Sequence, residues 1–102
     1  MHPIIEQHRA KLLKLCEKYN VRRLDIIGSA LREDFDPERS DIDFVVEFND
    51  FNVTNAADRF LGLMVDLEDL LQRRIDLVSY RAIRNPYFKQ VVDHTRVNLY
   101  AA

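Results

Sequence analysis

Asp41 and Asp43 stand two residues apart at the head of the run Asp41-Ile42-Asp43-Phe44-Val45-Val46-Glu47-Phe48, and Asp76 lies inside Arg74-Ile75-Asp76-Leu77-Val78-Ser79. Alternate residues of an extended strand share a face, so Asp41 and Asp43 present two carboxylates roughly 6–7 Å apart. Val45 and Glu47 follow on that face, and Ile42, Phe44, Val46 and Phe48 take the other. Two like charges crowded on one face repel each other and resist desolvation, which favours a cation between them. Mg²⁺ answers that need, because it takes oxygen ligands and is held by one or two carboxylates together with phosphates and waters. Ile75 and Leu77 alternate with Asp76, so Asp76 joins the pair wherever the two strands are neighbours.

Gly28-Ser29 supplies a second ingredient, at the end of Val21-Arg22-Arg23-Leu24-Asp25-Ile26-Ile27. Glycine allows close backbone approach, Ser29 adds a hydroxyl donor, and backbone N–H groups opening a helix attract an anion. A phosphate cradle beside three carboxylates is a layout for displacement at phosphorus, with two metal ions about 3.5–4 Å apart flanking the attacking and leaving oxygens. In this reading Asp41 and Asp43 hold the ions, while Asp76 completes the shell of one and accepts the proton of an attacking hydroxyl.

The elements that must position these groups follow from periodicity. Ile5, His8, Leu12, Leu15, Cys16 and Tyr19 recur at helical spacing after Pro3, predicting a helix from Pro3 to Tyr19 that Asn20 stops. Val21 to Ile27 reads as a strand, and Ser29 to Asp34 as a helix of about two turns that Pro37 cuts short. The run from Asp41 to Phe48 reads as a half-buried strand. Thr54 or Asn55 caps a long helix with Ala57, Phe60, Leu61, Met64, Leu67, Leu70 and Leu71 on its apolar stripe. Arg74 to Ser79 is a third strand, Pro86 to Asp93 a last helix, and Val97 to Tyr100 an apolar tail. The expected order is αβαβαβα.

Gly28-Ser29, Arg32, Ser40-Asp41-Ile42-Asp43 and Arg74-Ile75-Asp76-Leu77-Val78 together resemble the GS…SDxD…D signature of the minimal nucleotidyltransferases of the DNA polymerase β superfamily. The likeness covers most of the chain. It implies an α+β palm-like fold with a small mixed sheet flanked by helices, ATP as donor, and nucleotidyl transfer as the activity. Gly28, Ser29 and Arg32 would serve the nucleotide, and Asp41, Asp43 and Asp76 the two Mg²⁺ ions. Many stand-alone relatives act as antitoxins that adenylylate a tyrosine of a partner HEPN toxin. The chain departs from the usual Gly-Ser-x-Ala-Arg-Gly in having Leu31 and Glu33. An acid in the phosphate-facing turn would repel a triphosphate, whereas on the outer side of the helix it would be silent. A weakly catalytic antitoxin acting by complex formation, and transfer to a small molecule or RNA, are the alternative readings.

Composition sets the remaining bounds. A chain of 102 residues, 47% hydrophobic and 31% charged, suits one globular domain spanning 1–102. A net charge of −2, with acids dominating Glu33 to Asp69, argues against a nonspecific DNA coat. Cys16 is the sole cysteine, so no intrachain disulfide forms, and no signal or membrane-spanning run is visible; a cytoplasmic location is the expectation. Glu47 reads as the exposed face of an edge strand, and His2, His8 and His94 lack metal spacing. Arg73, Arg74, Arg81, Arg84, Lys89 and Arg96 read as a solvated basic face. Tyr80, Tyr87, Phe88 and Tyr100 among them suggest a partner surface. Oligomeric state stays open at this level.

Overall fold

Alternation in the three strands puts most of their apolar residues on one side of a sheet, and the helices supply the stripes that cover it. The computed structural model describes residues 3–28, 41–49 and 55–102. Within them α1 (Pro3–Gln7) and α2 (Arg9–Lys18) precede β1 (Val21–Ile27). β2 (Ile42–Phe48), α3 (Ala56–Leu71) and β3 (Ile75–Ser79) follow, then a 3₁₀ turn (Tyr80–Ala82), α4 (Pro86–Thr95) and β4 (Val97–Ala101). The expected helix from Ser29 to Asp34 lies outside the described residues.

The sheet order is β3-β2-β1-β4, with β2 antiparallel to β1, β1 antiparallel to β4, and β2 parallel to β3. The mixed α+β architecture is as expected, with two differences. The first helix divides at His8, whose backbone leaves helical geometry (φ −108, ψ 9) while its Nδ1 pairs with the Ile4 carbonyl at 2.8 Å. The apolar tail forms a fourth strand, because it finds the free edge of β1; no local signal distinguishes a tail from an edge strand until that edge exists.

Caps explain where the helices stop. Asn20 adopts a left-handed backbone (φ 55) that ends α2, a conformation asparagine tolerates better than most residues. Gln72 does the same after α3. Asn85 caps α4 by accepting from the N–H groups of Tyr87 and Phe88 at 2.9 and 3.2 Å, with Pro86 at the first helical position.

The main core lies between the sheet and helices α1 to α3, and gathers Ile5, Leu12, Cys16, Leu24, Ile26, Ile42, Phe44, Val46, Leu63 and Leu67. Burial pushes the Cys16 thiol up to about 12, which leaves it an inert packing residue. The stripe of α3 is rotated from the sequence expectation: Leu63 is fully buried whereas Leu61 is 53% exposed. Close contact with α2 sets that rotation, since a Cβ on Gly62 would lie 2.8 Å from the Tyr19 ring. The Tyr19 hydroxyl donates to Asp66 on α3 at 2.5 Å. A second, smaller cluster of Ile27, Val45 and Val92, with Tyr80 and Ile83 against it, seats α4 on the opposite face of the sheet.

Candidate active site

That opposite face carries the polar residues of the strands. Ile75 and Leu77 turn into the main core, which sends Asp76 to the other side. Parallel register then sets Asp43 of β2 directly beside Asp76 of β3, and antiparallel register sets Ile27 of β1 on its other flank. Gly28 therefore begins at the level of Asp43. Its backbone is left-handed (φ +78), and a Cβ there would lie 2.6 Å from Asp43 Oδ2. Only glycine leaves both the turn and the carboxylate in place.

The three acids differ in exposure. Asp41 and Asp76 are exposed, whereas Asp43 is partly buried between its neighbours. Desolvation raises the Asp43 carboxyl above its ordinary range, and the charges of Asp76 and Asp41 raise it further. Arg74 approaches Asp41 only loosely, Nε to Oδ1 at 4.0 Å, with its side chain 86% exposed. Such a pair contributes little neutralisation. Among the described residues no three His, Cys, Asp or Glu side chains already close on a single point. What the strands offer is an open acidic pair with a third carboxylate at its mouth. That donor set fits Mg²⁺, which takes one or two protein carboxylates and fills its remaining positions with phosphate and water.

Of the residues singled out in the sequence, the structure brings Asp41, Asp43, Asp76 and Gly28 together. Ser29, Arg32 and Glu33 lie outside the described residues, as do His2 and Ser40. His8 and His94 each pair with a carbonyl of their own helical turn, at 2.8 and 2.7 Å, and stand away from this site's acids in the chain and its strand registers.

Two sequence readings are corrected on the same face. Glu47 belongs to a central strand, not an edge, because β3 covers the other side of β2. Arg96 belongs to no solvated patch: its side chain is 16% exposed and lies within 3.4 Å of Asp25 and 3.5 Å of Glu47. Asp25, not singled out among the residues of the Val21 to Ile27 strand, is 1% exposed. Alternation of Arg23, Asp25 and Ile27 was the available signal, since it places a carboxylate on the face that α4 later covers.

A match to the family model described as "Nucleotidyltransferase domain" extends over residues 9–98. The chain belongs to that family. A relative from Methanocaldococcus jannaschii, named "Putative protein adenylyltransferase MJ0128", is 41% identical over 90 residues, spanning 88% of this chain and 85% of its own. The solved "Structure of putative minimal nucleotidyltransferase" superposes with a TM-score of 0.75 at 28% identity, covering 91% of this chain and 90% of that one. At 21% identity the fold also matches the complex of a tri-AMPylated Shewanella oneidensis HEPN toxin with its MNT antitoxin, with a TM-score of 0.66 and coverage of 95% and 72%. This nucleotidyltransferase domain thus has the architecture of the minimal members of its family. No described helix is long and apolar enough to cross a membrane.

Proposed function

We infer that this nucleotidyltransferase moves AMP from ATP onto a hydroxyl of a protein partner, a tyrosine of a HEPN-type toxin, and so acts as its antitoxin in the cytoplasm. The observation that carries the reading is the register of Asp43 beside Asp76, with Gly28 wedged against the Asp43 carboxylate. It supports reading the Gly28 turn as a phosphate-binding element beside paired acids, as phosphorus chemistry requires. The adenylyltransferase name of the 41%-identical relative supports the donor, and the antitoxin complex of like fold supports the acceptor class.

In this reading Asp41 and Asp43 would hold two Mg²⁺ ions, and Asp76 would complete the shell of one. When bound, Mg²⁺ would supply positive charge toward phosphate oxygens. Gly28 and Ser29 bind the triphosphate through backbone N–H groups and the hydroxyl, and Arg32 neutralises phosphate charge. The acceptor oxygen bonds to the α-phosphorus, the bond from that phosphorus to the bridging oxygen breaks, and pyrophosphate leaves. Asp76 takes the proton of the acceptor hydroxyl, a role its exposure to solvent permits.

A complex-forming role is compatible with this chemistry and has its own support. Tyr87 is 79% exposed and Val91, one turn along α4, is 56% exposed, an apolar ridge flanked by Lys89 and Arg84. Asp41→Asn/Asp43→Asn separates the two roles. With ATP labelled in its α-phosphate, label transfer to the partner should fall by about three orders of magnitude or more. Undiminished transfer overturns the assignment of these residues. Neutralisation that persists in the variant assigns the antitoxin effect to binding instead of catalysis.

A further inference from the structure

Two helices, one on each face of the sheet, turn apolar side chains outward. On α3 these are Leu61 and Val65, 53% and 58% exposed and one helical turn apart. On α4 they are Tyr87 and Val91, also one turn apart. A single exposed apolar residue is ordinary on a folded surface, but two in line form a ridge, and ridges of i and i+4 residues are what pack into the grooves of another helix. The second helix is the barer of the two: of its ten residues only Val92 is buried, and Phe88 is exposed as well. Such faces mark contact surfaces.

The charges around the two ridges are of opposite sign. Helical spacing sets Asp58 on one flank of the Leu61–Val65 ridge and Glu68 on the other. Among the described residues neither enters an ion pair. Their neighbours on α3 differ: Asp66 pairs with Lys18 at 3.0 Å, and Asp69 lines the groove between α2 and α3 together with Lys11 and Lys14. Arg84 leads into α4 and Lys89 stands on it, both exposed. The acid of that helix, Asp93, is engaged, accepting from the Tyr80 hydroxyl at 2.6 Å and lying 4.0 Å from Arg96 Nη2. Two α4 ridges brought together would oppose like charges, and so would two α3 ridges. An α4 ridge on an α3 ridge brings opposite charges together. One chain cannot make that match alone, because its α3 and α4 lie on opposite faces of the sheet.

We propose that the α4 ridge of one copy of this chain docks on the α3 ridge of a second copy, Tyr87 and Val91 interleaving with Leu61 and Val65 while Arg84 and Lys89 face Asp58 and Glu68. Because the two surfaces differ, the contact is heterologous: each copy offers α4 to one neighbour and α3 to another, and the assembly closes into a ring or runs on as a chain. The proposal does not depend on the nucleotidyl-transfer reading. A different protein seated on α4 would release that copy from its neighbour.

Sedimentation velocity over a rising concentration series tests it. The wild-type chain should associate as its concentration increases. Leu61→Glu/Val65→Glu and Tyr87→Glu/Val91→Glu should each stay monomeric, with an unchanged circular dichroism spectrum because all four sites are exposed. Mixed in equal amounts, the two variants should form a heterodimer and nothing larger, since each retains the one face that the other lacks. If either glutamate variant is unfolded, charge reversal supplies the same test: Asp58→Lys/Glu68→Lys should lose self-association, and adding Arg84→Glu/Lys89→Glu to the same chain should restore it. A double glutamate variant that still self-associates, a mixture that yields no heterodimer, or a charge reversal without effect overturns the proposal. A wild-type chain that stays monomeric throughout overturns it too, and leaves the ridges to another protein.

Discussion

The two ends of one sheet face hold the same kind of residue under opposite electrostatic regimes. Among the described residues, the ion pair at the Asp41, Asp43 and Asp76 end is a loose one to the exposed Arg74, and Asp43 is held above its ordinary titration range by desolvation and by the other two charges. Asp25 is more deeply buried than any of them, yet two guanidinium groups and Asn98 surround it. Carboxylates left uncompensated on a folded surface are a liability unless something arrives to neutralise them. Compensated ones fasten the fold. The difference teaches that acidic character alone does not set how a carboxylate is held in the fold; the supply of internal counter-charge does.

Removing the internal cation gives the largest expected break in this contrast. Arg96→Met leaves Asp25, Glu47 and Asp93 without their shared partner and should cost about 3 kcal/mol in denaturant unfolding, near the low end for breaking a buried pair because Arg23 remains on Asp25. A loss under about 0.5 kcal/mol, typical of exposed pairs, would erase the distinction between the two ends.

Gly28→Ala should cost about 1–2 kcal/mol, because the left-handed turn becomes strained and the new Cβ presses on Asp43. Nucleotidyl transfer should fall with it, since both the turn and the carboxylate shift. An alanine variant with wild-type stability and turnover would detach the turn from the acid pair.

The smallest effect concerns Asp43 in metal-free protein. Its carboxyl is raised in the fold, so the folded state holds the proton more tightly than the unfolded chain does. Below the ordinary aspartate range both states are protonated and nothing is lost. As pH rises through that range and past the raised value, the folded state carries a charge it accommodates poorly, and stability falls. Asp43→Asn should therefore raise the melting temperature in EDTA at neutral pH, by less than about 1 kcal/mol equivalent because water reaches the site. The gain should vanish near pH 3, and Mg²⁺ should reverse its sign. An Asp43→Asn variant less stable than wild type in EDTA at pH 7 would show that the open end is compensated after all.

Much of this was legible in the chain. Alternation from Asp41 to Phe48 assigned faces correctly because one side of β2 is almost purely apolar. It misjudged how buried the strand is, since Val45 on the polar side is covered by Val92 of α4, a contact distant in sequence. Asn20 as a helix stop and Pro86 as a helix start rest on local backbone preferences and were readable for that reason. Leu63 and Leu61 exchanged roles because the rotation of α3 depends on how closely Gly62 admits Tyr19. Glu47 and Arg96 were both read as surface residues, as single charged side chains in a strand and after a helix ordinarily are.

By itself the sequence determined β1, β2 and β3, the helix boundaries made by caps, the family, and the acids that belong to the open end, because each depends on neighbours within a few positions or on a motif. Tertiary structure alone decided that Asp43 and Asp76 stand in register, that the tail completes the sheet, and that Arg96 is an internal cation. Those facts depend on which strand edges meet and which helix covers them, and pairings between residues as far apart as Asp25 and Arg96 leave no periodic trace in the chain.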